Sequence, residues 1–252
     1  MDASAVVLAD ELVRLTRAGG KRLRSAFAYW SYRAAGGEPD ERILRAGIAL
    51  ELLHTAAIVH DDLMDASQTR RGVPATHVRF AKDAPVGVEP DAFGTAVAVL
   101  VGDLALVLSE RALRTSGFET AELVRASVWF DRMRIQMAAG QFLDVAGTED
   151  RARVSSLKSS SYTTDGPIML GAALAGSDPG AEGSLRAFAR SVGEAFQLRD
   201  DVLDGDAPPA ARDEIDAILD QAERTLDGAQ LAQEGVDALV EISALLRLDP
   251  AG

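Results

Sequence analysis

Six aspartates carry the chemistry of this chain. Asp61, Asp62 and Asp65 spell Asp-Asp-x-x-Asp, and Asp200, Asp201 and Asp204 spell it again. On a helix, residues three and four apart share a face, so Asp61 and Asp65 stack about 6 Å apart along the axis. Three carboxylates at a helix C-terminus repel one another and oppose the negative end of its dipole, which is unfavourable unless a cation is present. One such motif reads equally well as a solvated acidic helix end. Two motifs read as the halves of an oxygen-rich cage, with Gln197 one turn before the second on the same face. Hard oxygen ligands, no cysteine and three histidines favour Mg²⁺, or Mn²⁺, over zinc. Mg²⁺ keeps waters and shares phosphate oxygens with a substrate, so a diphosphate is its natural partner.

The basic residues fit an anionic ligand. Lysines are few, only Lys21, Lys82 and Lys158. Gly19-Gly20-Lys21-Arg22-Leu23-Arg24 puts Lys21 and Arg24 at i and i+3 on one expected helical face, just after a flexible Gly-Gly. Arg70-Arg71-Gly72 follows the first acidic motif closely. Such clusters suit bidentate phosphate recognition. Either cluster alone also reads as salt bridging on an acidic surface.

The elements that position these residues are helices. Long apolar-periodic segments are broken by short Gly/Pro/Asp punctuation, and Ala, Leu and Arg are abundant, as helix propensity prefers. Helices are expected over residues 5–15, 21–35, 40–64, 92–113, 119–145, 151–174, 184–203, 212–226 and 234–246. Residues 68–88 read as loop with one helical turn. The fold class is all-α. Apolar residues fill nearly every face of 51–63, which predicts a buried helix ending in carboxylates.

Composition bounds the rest. At 252 residues with 47% hydrophobic content, the chain reads as one domain, 1–252, with a sizeable core and no dominant disorder. The formal charge of −13 lacks the basic footprint of a nucleic-acid binder. With no cysteine, thiolate chemistry is excluded. The N-terminal residues carry no basic flank before an apolar run, and the apolar stretch 92–108 is interrupted by Asp103, so neither a signal peptide nor a membrane span is expected. The expected location is cytoplasmic.

Taken together, Gly19-Gly-Lys-Arg-Leu-Arg24, Glu51-Leu-Leu-His54, Asp61-Asp-Leu-Met-Asp65, Arg70-Arg-Gly72, Lys158-Ser-Ser-Ser-Tyr162 and Phe196-Gln-Leu-Arg-Asp-Asp-Val-Leu-Asp204 resemble the trans-isoprenyl diphosphate synthases, in family order over residues 19–206. The resemblance implies a helical bundle around a deep central cavity, and head-to-tail condensation of isopentenyl diphosphate with an allylic diphosphate. It implies that Asp61, Asp65 and Asp200 hold Mg²⁺ on the allylic diphosphate, supported by Asp62, Asp201 and Asp204. Arg70 and Lys158 would touch the same group, with Ser159 beside them. Lys21, Arg24, His54 and Arg71 would bind isopentenyl diphosphate. Gln141, Asp144 and Gln197 match further polar positions, Asp144 among the metal-site carboxylates. A homodimer is implied, and the apolar helix over 92–113 is a candidate interface element.

Product length in such enzymes depends on side chains below the first acidic motif. Ala56 and Ala57 are small there, which predicts an open channel and a product of C20 or longer, geranylgeranyl diphosphate first. His60 and His77 lie outside the matched motifs and read as packing or hydrogen-bonding residues. Glu51-x-x-His54 also fits half of a di-iron site, but no second copy exists. Two departures stand out. Lys158-Ser159 replaces the usual Lys-Thr, and after Asp206 the usual basic loop is replaced by Ala207-Pro208-Pro209, leaving the loop deleted or missing. Two other readings are weighed. A class I terpene cyclase would carry an Asn/Ser/Glu-type second motif, and an inactive partner subunit would lose aspartates that this chain keeps.

Overall fold

A computed structural model describes residues 3–150, 153–154, 156–208 and 210–248, with the side chains of 3, 4 and 158–160 outside the description. The elements in order are α1 (Ala3–Arg17), α2 (Leu23–Ala34), α3 (Glu41–Met64), β1 (Thr69–Arg70), β2 (Val73–Pro74), α4 (Thr76–Lys82), α5 (Pro90–Arg114) and α6 (Thr120–Val145). A π-helical segment (Ser156–Asp165), α7 (Gly166–Ala175), α8 (Pro179–Asp204), α9 (Ala211–Arg224) and α10 (Gln233–Ala244) follow. The fold is all-α, as expected. Residues 68–88 hold more order than a single turn, with a hairpin and the two-turn α4.

Local signals fix the long helices. Glu89 caps α5 by accepting from Ala92 N at 2.6 Å, with Pro90 at the first helical position. At α6, Glu119 and Glu122 close a capping box, Glu122 accepting from Glu119 N at 2.7 Å. Asp178 caps α8 through Gly180 N at 2.8 Å. These caps set where α5, α6 and α8 begin, and so which residues their far ends present.

The chain divides into two compact units, Met1–Arg22 with Ile48–Thr115, and Leu23–Gly47 with Ser116–Gly252. In the first, α1 and α4 pack on α5. Its core holds Leu12 and Leu15 of α1, Ala56 and Val59 of α3, Phe80 of α4, and Val97, Ala98, Val101 and Ala105 of α5. In the second, α7 packs against α2, α6 and α8, α9 lies on α8, and α10 on α2. Phe27, Ile168, Leu185, Phe188, Val192, Ile215, Leu219 and Leu239 are buried in its core. The α8 stripe Leu185, Phe188, Ala189, Val192 and Ala195 follows helical spacing and leaves the opposite face polar.

One sequence reading needs correction. Helices α3 and α5 are each long and apolar enough to cross a membrane by length and composition, so the lone Asp103 does not remove that property. Half of the most apolar window of α3 and 39% of that of α5 are buried inside the protein. Within 51–63 of α3, Leu53, Ala56 and Val59 are buried and no residue is fully exposed, as expected; the exposed apolar residues of α3 lie outside that span, at Leu44, Ile48 and Met64.

Close backbone approach sets the packing of α2 on α7. A Cβ at Gly171 would sit 2.1 Å from the Ala28 carbonyl and 2.2 Å from Ser31 Oγ, which itself donates to Ile168 O at 2.8 Å. Gly171→Ala is therefore expected to cost about 1–3 kcal/mol through overpacking. Gly183→Ala on α8, where nothing lies within 4 Å, is expected to gain about 0.5–1 kcal/mol. Denaturant midpoints at constant slope check both.

Candidate functional site

Both Asp-Asp-x-x-Asp motifs end their helices, and the two ends have the same geometry. At α3, Ser67 N donates to Asp62 O at 2.8 Å and Ala66 N to Leu63 O at 3.3 Å. At α8, Asp206 N donates to Asp201 O at 2.8 Å and Gly205 N to Val202 O at 3.3 Å. These pairs of bonds are Schellman closures, each needing a left-handed residue directly after the last aspartate. Gly205 takes it at φ 83° without penalty; Ala66 takes it at φ 51°, at about 1–2 kcal/mol for an L-residue. The helix is thus stopped where its last aspartate stands at the exposed edge.

In the first unit the charges are partly compensated. Asp62 is buried, and Arg70 Nε donates to its Oδ1 at 2.8 Å while Nη2 lies 2.5 Å from the same atom. Asp61 Oδ2 is 3.6 Å from Arg70 Nη2, and Asp65 is exposed. The Asp62 hydrogen bond, offset in part by burial, holds the Arg70 guanidinium above its ordinary value, with Asp61 and Asp65 adding to the effect. Arg70 thus fills Asp62 and stands beside Asp61, which shares a helix face with Asp65.

The hairpin presents both arginines. Thr69 pairs with Pro74 and Arg70 with Val73, so Arg71-Gly72 is the two-residue loop. Their φ values of 53° and 76° match a type I′ turn. Arg71 donates to Gly19 O, and its Nη2 lies 3.2 Å from His54 Nε2. A guanidinium only donates, so Nε2 is the bare nitrogen of His54. Gly20, at φ 131°, lies against Arg71, where a Cβ would meet Nη2 at 2.9 Å. Arg22 holds this loop from its far end, bonded to Glu51 and to Thr16 O. Among the described residues the non-glycine positions with positive φ are Arg22, Ala66 and Arg71, all within or beside these motifs, where strain is kept for function.

In the second unit α8 carries Gln197, Asp200, Asp201 and Asp204 in its last turns. Burial, then the charges of Asp206 and Asp204, push the Asp201 carboxyl above its ordinary value. Arg199 lies 3.6 Å from Asp200. Arg24 of α2 donates to Thr163 Oγ1 at 2.8 Å, and its guanidinium stands 4.2 Å over the Tyr162 ring. Gln141 and Asp144 sit half-buried near the end of α6. A cavity of about 360 Å³ between α6, the π-helical segment and α8 reaches Gln197 and is lined by Arg132, Gln136, Asp165, Arg190 and Glu194 among others. Burial raises the Asp165 carboxyl, and Arg132, Arg190 and Arg186 oppose that shift.

Several expectations change. Lys21 precedes α2, which begins at Leu23, so Lys21 and Arg24 do not share a helical face. Ala56 is fully buried in the core with α1 and α5 residues, not on an open channel wall. Beside the first motif the crevice is about one water in size, near 10 Å³, and is lined by Thr55, Ile58, Arg70 and Arg71 among others. Ala57 is half-buried. The side chains of Lys158 and Ser159 lie outside the described residues; their backbone forms the π-helix. Helix α8 ends at Asp204 and α9 begins at Ala211. His60 Nε2 lies 3.3 Å from Val99 O, the hydrogen-bonding role expected. Sequence reasoning missed Thr163, Arg22 and the π-helix, whose only written trace is the hydroxyl-rich run before Gly166-Pro167.

The donor set suits a hard divalent cation, but among the described residues no group of three His, Asp or Glu side chains is arranged to hold one alone.

A family model described as polyprenyl synthetase matches residues 6–216. The chain belongs to the polyprenyl synthetase family. It is 32% identical over 199 residues to the short chain isoprenyl diphosphate synthase of Methanothermobacter thermautotrophicus, covering 75% of this chain and 56% of that relative. It is 30% identical over 251 residues to the nonaprenyl diphosphate synthase of Mycobacterium tuberculosis, covering 97% of this chain and 65% of the relative. The chain thus spans about three-fifths of the length of the curated relatives it matches. The crystal structure of a geranylgeranyl pyrophosphate synthase from Corynebacterium glutamicum, complexed with isoprenyl diphosphate and magnesium, superposes with a TM-score of 0.87 at 25% identity, covering 97% of this chain and 91% of that one. The fold is that of this family.

Asp201 yields a test with a definite sign. A carboxylate raised in the folded state binds protons more tightly there than when unfolded, so it favours folding below its ordinary range and opposes it as pH rises past that range. Asp201→Asn is therefore expected to raise the thermal midpoint at pH 7 without divalent cation, relative to wild type. With Mg²⁺ and diphosphate the ranking should reverse. Thermal scans under the two conditions read both signs.

Proposed function

We propose that the chain is a trans-prenyl diphosphate synthase, acting on isopentenyl diphosphate and an allylic diphosphate. The observation that carries this is the repeated acidic helix end: the same three aspartates at the same spacing, closed by the same pair of backbone bonds, once in each unit. The names of the relatives support it. In this reading the two motifs serve one diphosphate.

Asp61, Asp65 and Asp200 hold the metal ions, with Asp62, Asp201, Asp204 and Asp144 supporting the site. Bound Mg²⁺ supplies charge stabilisation for the departing diphosphate. Arg70 and Lys158 bind the allylic diphosphate, with Ser159 and Gln141 nearby. Lys21, Arg24, His54 and Arg71 bind isopentenyl diphosphate. The allylic C–O bond breaks, its electron pair leaving on diphosphate, and the double bond of isopentenyl diphosphate attacks the resulting cation to form the new C–C bond. Loss of one proton to the released diphosphate restores a double bond, so no side-chain nucleophile is required. The Tyr162 ring and the Gln197 carbonyl are suited to the transient positive charge.

The product is C20 or longer. Ala57, four residues before Asp61, shares its helix face one turn deeper and is the position that sets the channel wall; Ala56 belongs to the core. A homodimer in the cytoplasm completes the reading. Its interface is supported by exposed Val124, Val128, Ile135 and Phe142, which repeat along one face of α6, and by Val99, Leu100 and Val107 of α5.

Purified protein given isopentenyl diphosphate with dimethylallyl, geranyl or farnesyl diphosphate and Mg²⁺ should yield a linear diphosphate of C20 or longer by mass spectrometry. EDTA and Asp61→Ala should abolish it, and Ala57→Phe should shorten it. Cyclic hydrocarbon formed without isopentenyl diphosphate would contradict the reading.

A further inference from the structure

Glu11 of α1 is fully buried, and the proposed chemistry makes no use of it. A buried carboxylate persists only where its charge is matched and its lone pairs are filled. Arg14 meets it as a fork, Nε 2.8 Å from Oε2 and Nη2 2.6 Å from Oε1. Thr76 Oγ1, from the first residue of α4, donates to Oε1 at 2.9 Å. Arg79, in the next turn of α4, donates to Oε2. The Arg14 Nη2 that binds Glu11 also donates to the carbonyl of Pro74 at 3.0 Å.

Leu12 and Leu15 also seat α1 in the core. What the network ties down is residues 74–79, the return strand of the hairpin and the start of α4. Pro74 pairs with Thr69, next to Arg70, and Ala75 N donates to Gln68 O at 3.1 Å. The outgoing strand then delivers Arg70 to Asp62 and Arg71 to His54 and Gly19. A hairpin with two residues in each strand has too little surface to hold its own orientation. Its base is fixed by Glu11 instead.

We infer that Glu11 is a positioning residue for Arg70 and Arg71, setting their orientation toward the substrate diphosphates through Arg14 and Pro74. This rests on the proposed function, since it gives those arginines a diphosphate to bind. Glu11→Gln removes the charge and turns an acceptor into a donor facing arginine. Arg14→Lys keeps the charge but loses the fork that reaches Pro74.

The test is titration of inorganic diphosphate with Mg²⁺ into the full chain by calorimetry, with KM and kcat for isopentenyl diphosphate measured alongside. Glu11→Gln should weaken diphosphate binding about tenfold, the size of effect that outer partners of a bound group carry. KM should rise while kcat changes by less than about twofold. In an Arg71→Ala background the same substitution should cost clearly less than about tenfold, because the part of the effect that acts through Arg71 is already gone and only the part through Arg70 remains. Arg14→Lys should shift affinity the same way by less, and it carries the test if Glu11→Gln does not fold. Wild-type binding with unchanged affinity in both variants, or an undiminished loss in the Arg71→Ala background, would overturn this inference alone. A wild type that binds no diphosphate would overturn the functional reading and this inference with it.

Discussion

Carboxylates crowded at the C-terminal end of a helix face both one another and the negative pole of the helix dipole. This chain arranges that conflict twice, at Asp61–Asp65 and Asp200–Asp204, and much of its local structure answers to it. At α3 the answer is a guanidinium, since Arg70 fills the buried Asp62. At α8 the conflict stands in the open, since burial and the neighbouring Asp204 and Asp206 leave the Asp201 carboxyl raised.

The supporting structure converts weak local elements into a defined site. The loop from Gly19 to Arg22 is closed by Arg22 on Glu51 and Thr16 and by Arg71 on Gly19. Strained backbone at Arg22, Ala66 and Arg71 is held by these contacts at about 1–3 kcal/mol each, so the strain sits where side chains must be aimed. In the second unit Arg24, Thr163 and Tyr162 hold the π-helical segment to α2. Wide helical turns of this kind are concentrated at functional sites.

The fold class and most helix positions were legible because apolar periodicity and caps are local. The expected helices over 92–113 and 119–145 match α5 and α6 closely, whereas α8 begins at Pro179, five residues before the expected 184, where Asp178 caps it. The pairing of acidic motifs was legible because identical spacing on helices implies an identical face. What escaped was whatever depends on partners distant in sequence. Ala56 was read from its offset to Asp61, but burial depends on α1 and α5, and the helical phase five residues away turns it toward them. Lys21 was assigned to a helix that Arg22, at positive φ, interrupts. The Glu11 network joins residues 60 or more apart, and no spacing rule reaches that far. The one charge at Asp103 misled in the other direction, since 25 residues of α5 remain apolar enough on average.

The most direct measurement is the Mg²⁺-dependent binding of inorganic diphosphate to wild type, Asp61→Asn, Asp200→Asn and the double variant, by calorimetry. If both motifs serve one diphosphate, each single variant loses most of the Mg²⁺-dependent affinity and the double variant loses little more than either. Losses that simply add, or an Asp200→Asn protein that binds as wild type does, would contradict a single site built from the two helix ends.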